Sequence, residues 1–163
     1  MEEMGSRIVV DRARFPLVIQ TMHGGYGIED LDEMLATYDE LLKGTKRYTV
    51  IVYFPQLPSM NPVHRQRMAA WWVPRKELVL QKNILSVIVI ENTIVRGMLT
   101  ALYWLVQPPN PQKIAATFAE AVKLSVEALE QEGIPLTPAI RELRDNPDPN
   151  LLSDAASSVA RSR

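Results

Sequence analysis

Tyr48-Thr49-Val50-Ile51-Val52-Tyr53-Phe54 is an almost unbroken run of β-branched and aromatic residues. A strand with one wet face alternates apolar and polar side chains, whereas a run without alternation is expected in mid-sheet, covered on both faces. Two covered faces require helices on either side, and the flanking sequence supplies them. Upstream, Leu31, Met34, Leu35, Tyr38, Leu41 and Leu42 recur at the spacing of one helical stripe. Glu29, Asp30, Asp32 and Glu33 crowd the first turn of that helix, where they favour its dipole, and Lys43-Gly44 closes it. Downstream, Asn61-Pro62 reads as a cap followed by proline at the first helical position. The second helix that follows must kink or split at Pro74. It is expected to carry His64, Arg65, Arg67, Arg75 and Lys76 on its wet side and Met68, Ala69, Trp72 and Val79 on its apolar side.

Further out the alternation continues. Ile8 to Val10 and Leu17 to Met22 read as two strands, antiparallel through a short turn at Phe15-Pro16. His23-Gly24-Gly25-Tyr26-Gly27 is a loop, since glycine so dense dissolves regular structure. Ile84 to Ile90 is another buried strand. Thr93 to about Val106 forms a third helix, with Met98, Ala101, Leu102 and Leu105 as its inner stripe. The segment Gln107-Pro108-Pro109-Asn110-Pro111 cannot be helical, and Lys113 to Ala116 supplies a last strand. Thr117 and Glu120 match a capping box for a helix running to Glu132, with Phe118, Ala121, Val122, Ser125 and Leu129 inward. The order is β-β-α-β-α-β-α-β-α. It predicts an α/β fold with a mixed, mainly parallel sheet of four to five strands and about four helices. Residues 1–133 make the domain. Residues 134–163, with four prolines and a Ser/Ala-rich end, are expected to form an extended tail with a short helix from Pro138 to Arg144.

Composition narrows the function classes. The 163 residues are 47% hydrophobic with a formal net charge of −1, which leaves no electrostatic footprint for nucleic acid or an anionic membrane. Without cysteine there is no thiol nucleophile, disulfide or cysteine-bound metal, which fits a cytoplasmic protein. Met1 to Ser6 shows no signal-peptide pattern, and no apolar run approaches the roughly 18–20 residues that span a bilayer.

Order and wording together resemble the STAS domain, named for sulfate transporters and anti-sigma-factor antagonists, and in particular a bacterial branch of STAS-like proteins. The likeness is carried by Val10-Asp11-Arg12-Ala13-Arg14-Phe15-Pro16-Leu17-Val18, by Arg65-Gln66-Arg67-Met68-Ala69-Ala70-Trp71 and by Val95 to Leu105. The proline-rich run and Ala116-Thr117-Phe118-Ala119-Glu120-Ala121 complete it, over roughly Arg7 to Gly133. The resemblance implies a protein-interaction module, with a serine phosphoacceptor in the loop after the central strand. Ser59 lies in the matching loop, but Tyr53-Phe54-Pro55-Gln56-Leu57-Pro58 lacks the aspartate and Ser-Ser-Gly frame of that switch. A loop hydroxyl beside a helix cap is the plainer reading of Ser59.

Candidate chemistry is sparse. His23 and the glycines after it stand where α/β folds often bind anions. The fingerprint is incomplete, however, and four carboxylates follow, so a turn needing positive φ is the better reading. His64 with Arg65 and Arg67 could meet an acidic partner, though a solvated helix face is the commoner case. Two histidines without a ligand spacing make no metal site, and no serine-histidine-aspartate arrangement supports nucleophilic catalysis. Glu91 and Arg96 are placed to pair at the start of the third helix. Trp71 and Trp72 are adjacent, so one helical stripe cannot bury both, and tryptophan is enriched at interfaces. The expectation is therefore a non-enzymatic, regulatory or scaffolding domain without cofactor that binds a protein, itself included. Trp71, Trp72, Arg75 and Arg96 are its candidate contact residues. The alternative is a carrier of a small apolar ligand or lipid between helices and sheet. Ser59 phosphorylation as an antagonist switch is the weaker alternative.

Overall fold

The computed structural model describes residues 7–55, 61–105, 110–150 and 152, with the backbone alone over 102–105. Among the described residues five strands form one sheet, in the order β1-β2-β3-β4-β5. Strand β1 (Ile8–Asp11) runs antiparallel to β2 (Leu17–Met22). Strands β3 (Tyr48–Tyr53), β4 (Asn83–Val89) and β5 (Gln112–Ala115) follow in parallel, each hydrogen-bonded to the one before. The Tyr48 run is the middle strand, as its unbroken apolar character predicts.

The turn between β1 and β2 is tied by Asp11, which accepts from the Ala13 amide at 2.8 Å and from the Arg14 guanidinium at 3.1 Å. The Gly-rich loop after β2 is likewise a structural turn. Gly25 takes φ +78°, and the Arg7 guanidinium donates to the Gly24 carbonyl at 2.8 Å. Asp30 caps the helix behind it by accepting from the Gly27 amide at 2.8 Å.

Helix α1 (Ile28–Lys43) joins β2 to β3 and buries Leu31, Met34, Leu35 and Leu42. Helices α2 (Pro62–Trp72) and α3 (Lys76–Lys82) join β3 to β4 and are separated by a 3-10 turn at Val73–Arg75. Pro74 thus splits the expected second helix rather than kinking it. Asn61 caps α2 by accepting from the His64 amide at 2.9 Å. Helix α4 (Thr93–Leu105) joins β4 to β5. Each of these connections steps one strand in the same direction. Right-handed crossovers therefore place α1, α2–α3 and α4 on one face of the sheet.

The opposite face is closed by α5 (Phe118–Gln131) and α6 (Pro138–Asp145). Leu17, Ile19, Ile51, Leu85, Val87 and Val89 meet Phe118, Ala121, Val122 and Leu129 of α5 in one core. Thr117 caps α5, its Oγ1 accepting from the Glu120 amide at 3.1 Å, whereas Glu120 Oε2 accepts from the Ala116 amide at 2.9 Å, one residue before the Thr117 amide that the expected capping box would use.

Three expectations are corrected. Residues 134–150 and 152 are not a tail outside the domain. Gly133 adopts φ +70°, so the chain turns back, and the Ile134 amide donates to the Leu129 carbonyl at 3.0 Å. Ile140, Leu143 and Leu152 then complete the α5 core. Prolines and acidic residues diluted this signal in the sequence, although Ile140 and Leu143 keep the i, i+3 spacing. Among the described residues the α-helices number six against about four expected for the domain, since Pro74 splits the second helix and the short helix expected from Pro138 packs on the α5 core. On α4, Met98 is 69% exposed and Ala101 is exposed too, so neither lies on an inner stripe. Apolar residues surround this helix in sequence, and periodicity alone does not fix its phase. Ser59 lies outside the described residues. Among the described residues no helix is long and apolar enough to cross a membrane.

Ile140 is fully buried. Ile140→Ala is expected to cost about 2–4 kcal/mol of unfolding free energy in urea titrations, the usual cost of emptying a core site. A peripheral tail would leave the midpoint unchanged.

Candidate functional site

The face under α1, α2 and α3 does not close as the α5 face does. Between these helices and the sheet lies a cavity of about 460 Å³. Its floor follows from strand alternation, since every second residue points to the same face. Val50, Ser86 and Gln112 stand side by side in one row, and Gln20, Val52 and Ile88 in the next. The roof comes from Leu31, Met34, Leu35 and Tyr38 of α1, Met68, Ala69, Trp71 and Trp72 of α2, and Val79 of α3. No charged side chain is among the described residues that line it.

The polar groups in this apolar chamber are neutral and concentrated. The Asn83 side-chain amide donates to Ser86 Oγ at 2.8 Å, and the Asn110 amide donates to the same oxygen at 3.3 Å. Gln112 Nε2 in turn donates to Asn110 Oδ1 at 2.9 Å. Asn83 Oδ1 is buried with no partner among the described residues. On the neighbouring floor row, the Tyr38 hydroxyl donates to Gln20 Oε1 at 2.6 Å, and Gln20 Nε2 reaches Met22 Sδ at 3.1 Å. Burial raises the Tyr38 phenol above its ordinary value, with neighbouring Tyr48 adding to the effect. Burial pushes Tyr48 up to about 12. Both hydroxyls therefore stay protonated through the physiological range.

The expected contact residues largely build the roof. Trp71 Nε1 donates to Asp39 Oδ1 at 3.1 Å, and Arg75 Nε donates to the same carboxylate oxygen at 2.7 Å. Arg75 also donates to the Trp71 carbonyl at 2.8 Å, with its guanidinium 4.9 Å from the indole ring centre. Asp39 belongs to α1, so this cluster fastens α2 to α1. Arg67 adds an ion pair to Asp32 at 2.6 Å. Trp72 lines the cavity, so both tryptophans face inward in part and each is half-buried. Arg96 sits apart from this group. It donates to the Ile90 and Glu91 carbonyls at 3.0 and 3.4 Å, tying the start of α4 to the end of β4, and forms no ion pair with the Glu91 carboxylate.

His64 corrects its expected place on the wet side. It is buried and stacks on Tyr26, with ring centres 5.0 Å apart. The inward stripe of α2 runs through His64, Met68 and Trp71, at i, i+4 and i+7, and this carries the histidine inside. His23 is exposed. Among the described residues no group of three His, Cys, Asp or Glu side chains could hold a metal ion.

The polar cluster was not singled out from sequence, because Asn83, Ser86, Asn110 and Gln112 are scattered over 30 positions. The usable signal was a polar residue interrupting a strand otherwise read as buried, which applies to Ser86 and to Gln20. No protein-family model, curated protein or solved structure matches this chain.

Asp39→Ala removes the acceptor shared by Trp71 and Arg75, and is expected to cost about 1–3 kcal/mol in urea denaturation, with a shift in tryptophan emission. An unchanged midpoint would separate α2 from this tether. The tyrosines give a pH signature. Their native pKa values lie above the ordinary 10.0, so folding favours the protonated phenols. That stability is fully present below pH 10 and is lost as the pH climbs toward the native values. The thermal midpoint should fall above about pH 10, and less steeply in Tyr38→Phe.

Proposed function

We propose that this chain is a non-enzymatic binding domain of STAS-like type that holds one small apolar molecule between its sheet and helices α1, α2 and α3. The single observation that carries the reading is the cavity of about 460 Å³ with walls of Leu, Met, Val and aromatic side chains. Ligand pockets generally span roughly 300–1,000 Å³ and pair mostly apolar walls with a few placed polar groups. A ligand that binds the folded chain in this cavity and not the unfolded one stabilises the fold. The STAS-like kinship rests on the strand-helix order, and a cytoplasmic setting on the lack of cysteine.

A second reading, docking of a protein partner, is favoured by α4, where Ile94 is 75% and Met98 69% exposed. It draws less on Trp71, Arg75 and Arg96, whose polar groups are spent inside the fold. An Ile94→Asp, Met98→Asp double variant that keeps every pull-down partner would remove it.

The cavity reading is tested with Nile red, a neutral apolar dye. Saturable binding at one dye per chain is expected. Ala69→Trp, at an exposed roof position, should fill the space and weaken the dye by about tenfold or more, roughly 1.4 kcal/mol. Absence of saturable binding, or an affinity untouched by Ala69→Trp, contradicts the proposal.

A further inference from the structure

We infer that the molecule held in the cavity has a flat aromatic body, and that Phe54 and Trp72 are the rings that receive it. This rests on the cavity reading above and sharpens it to a chemical class.

Ring pairing within the chain supplies the reason. Phe15 pairs with Tyr48, Tyr26 with His64, Tyr38 with Trp71 and Tyr53 with Phe118, at ring-centre distances of 6.4, 5.0, 6.5 and 5.5 Å. Of the described Phe, Tyr and Trp side chains, only Phe54 and Trp72 have neither a ring nor a cation against them among the described residues. Both line the cavity, and both are half-buried, so each keeps surface that a ligand can reach. The other lining tryptophan, Trp71, is already taken by the Tyr38 edge and the Arg75 guanidinium.

The two free rings come from different walls, away from the polar corner of Asn83, Ser86, Asn110 and Gln112. Phe54 directly follows β3 and continues the Val50 and Val52 side of the sheet, on the floor. Trp72 ends α2, in the roof. Met68, one turn earlier on the same helix, adds a half-buried thioether. Aromatic pairs gain more than the area they bury, and a thioether sulfur gains further against a ring. A saturated body of the same size gains the buried area alone. The cavity opens to solvent, so this preference concerns the part of the ligand between sheet and helices, and a substituent at the mouth stays hydrated.

The experiment titrates the full chain by calorimetry with 2-naphthol and trans-2-decalol, which share a fused two-ring carbon frame and one hydroxyl. 2-Naphthol is expected to bind at least about fivefold more tightly. Phe54→Leu and Trp72→Leu should each cut that preference by about twofold or more, with decanol, a saturated chain, showing that the cavity of each variant is intact. Equal affinity for the two ring compounds, or a preference that survives both substitutions, overturns the inference and leaves the cavity reading standing. So does Nile red binding with neither ring compound bound. The unsubstituted chain decides the class by itself if a variant does not fold. If neither the dye, the ring compounds nor decanol binds that chain, the cavity reading falls with the inference.

Discussion

The burial of β3 on both faces is the constraint from which the rest of the structure follows. Its backbone pairs in parallel with β2 on one side and β4 on the other, so its side chains alone decide what each face must accept. Ile51 points into a core shared with α5 and α6, with Leu129 and Ile140 fully buried. Val50 and Val52 point the other way, toward α1 and α2, where they pack with Tyr38 and also line the cavity. One strand therefore separates the α5 core from the cavity side of the sheet.

The chamber's roof is fixed by polar contacts at its outer edge rather than by close packing alone. Asp39 gathers the Trp71 indole and the Arg75 guanidinium, Arg67 reaches Asp32, and His64 stacks on Tyr26. These contacts fasten α2 to α1 and to the glycine-rich loop while the cavity face of the same helices stays apolar. Partly exposed ion pairs of this kind contribute little each, but their geometry sets where α2 lies. Neighbouring residues thus do separate things: Arg75, in the 3-10 turn after α2, holds the wall through Asp39, and Trp72 at the end of α2 forms it.

Much of this was legible in the sequence, for identifiable reasons. Long periodic or unbroken segments declare themselves, as in the α1 stripe from Leu31 to Leu42 and the β3 run, and so does the Thr117 cap of α5. Misreadings came where periodicity was degenerate or diluted. Met98 lies in a helix with apolar residues on every side, so its phase was open. His64 was assigned by its polarity, although its spacing to Met68 and Trp71 marked the buried stripe. Ile140 and Leu143 are only two apolar positions among prolines and charges, and only the positive-φ turn at Gly133 returns them to the core. The polar corner was hidden for a different reason. Parallel pairing sets Ser86 beside Gln112 across an entire helical crossover, and local sequence carries no record of that register.

We propose that a small molecule is held between the sheet and the α1–α2 roof. Intermolecular nuclear Overhauser effects in a complex with isotopically labelled protein and unlabelled decanol test it most directly. Contacts are expected from the alkyl chain to the methyl groups of Met34, Leu35, Val52 and Ile88, which line the cavity. Contacts confined to Ile94 and Met98 on the exposed side of α4 would place the apolar binding surface elsewhere and contradict it.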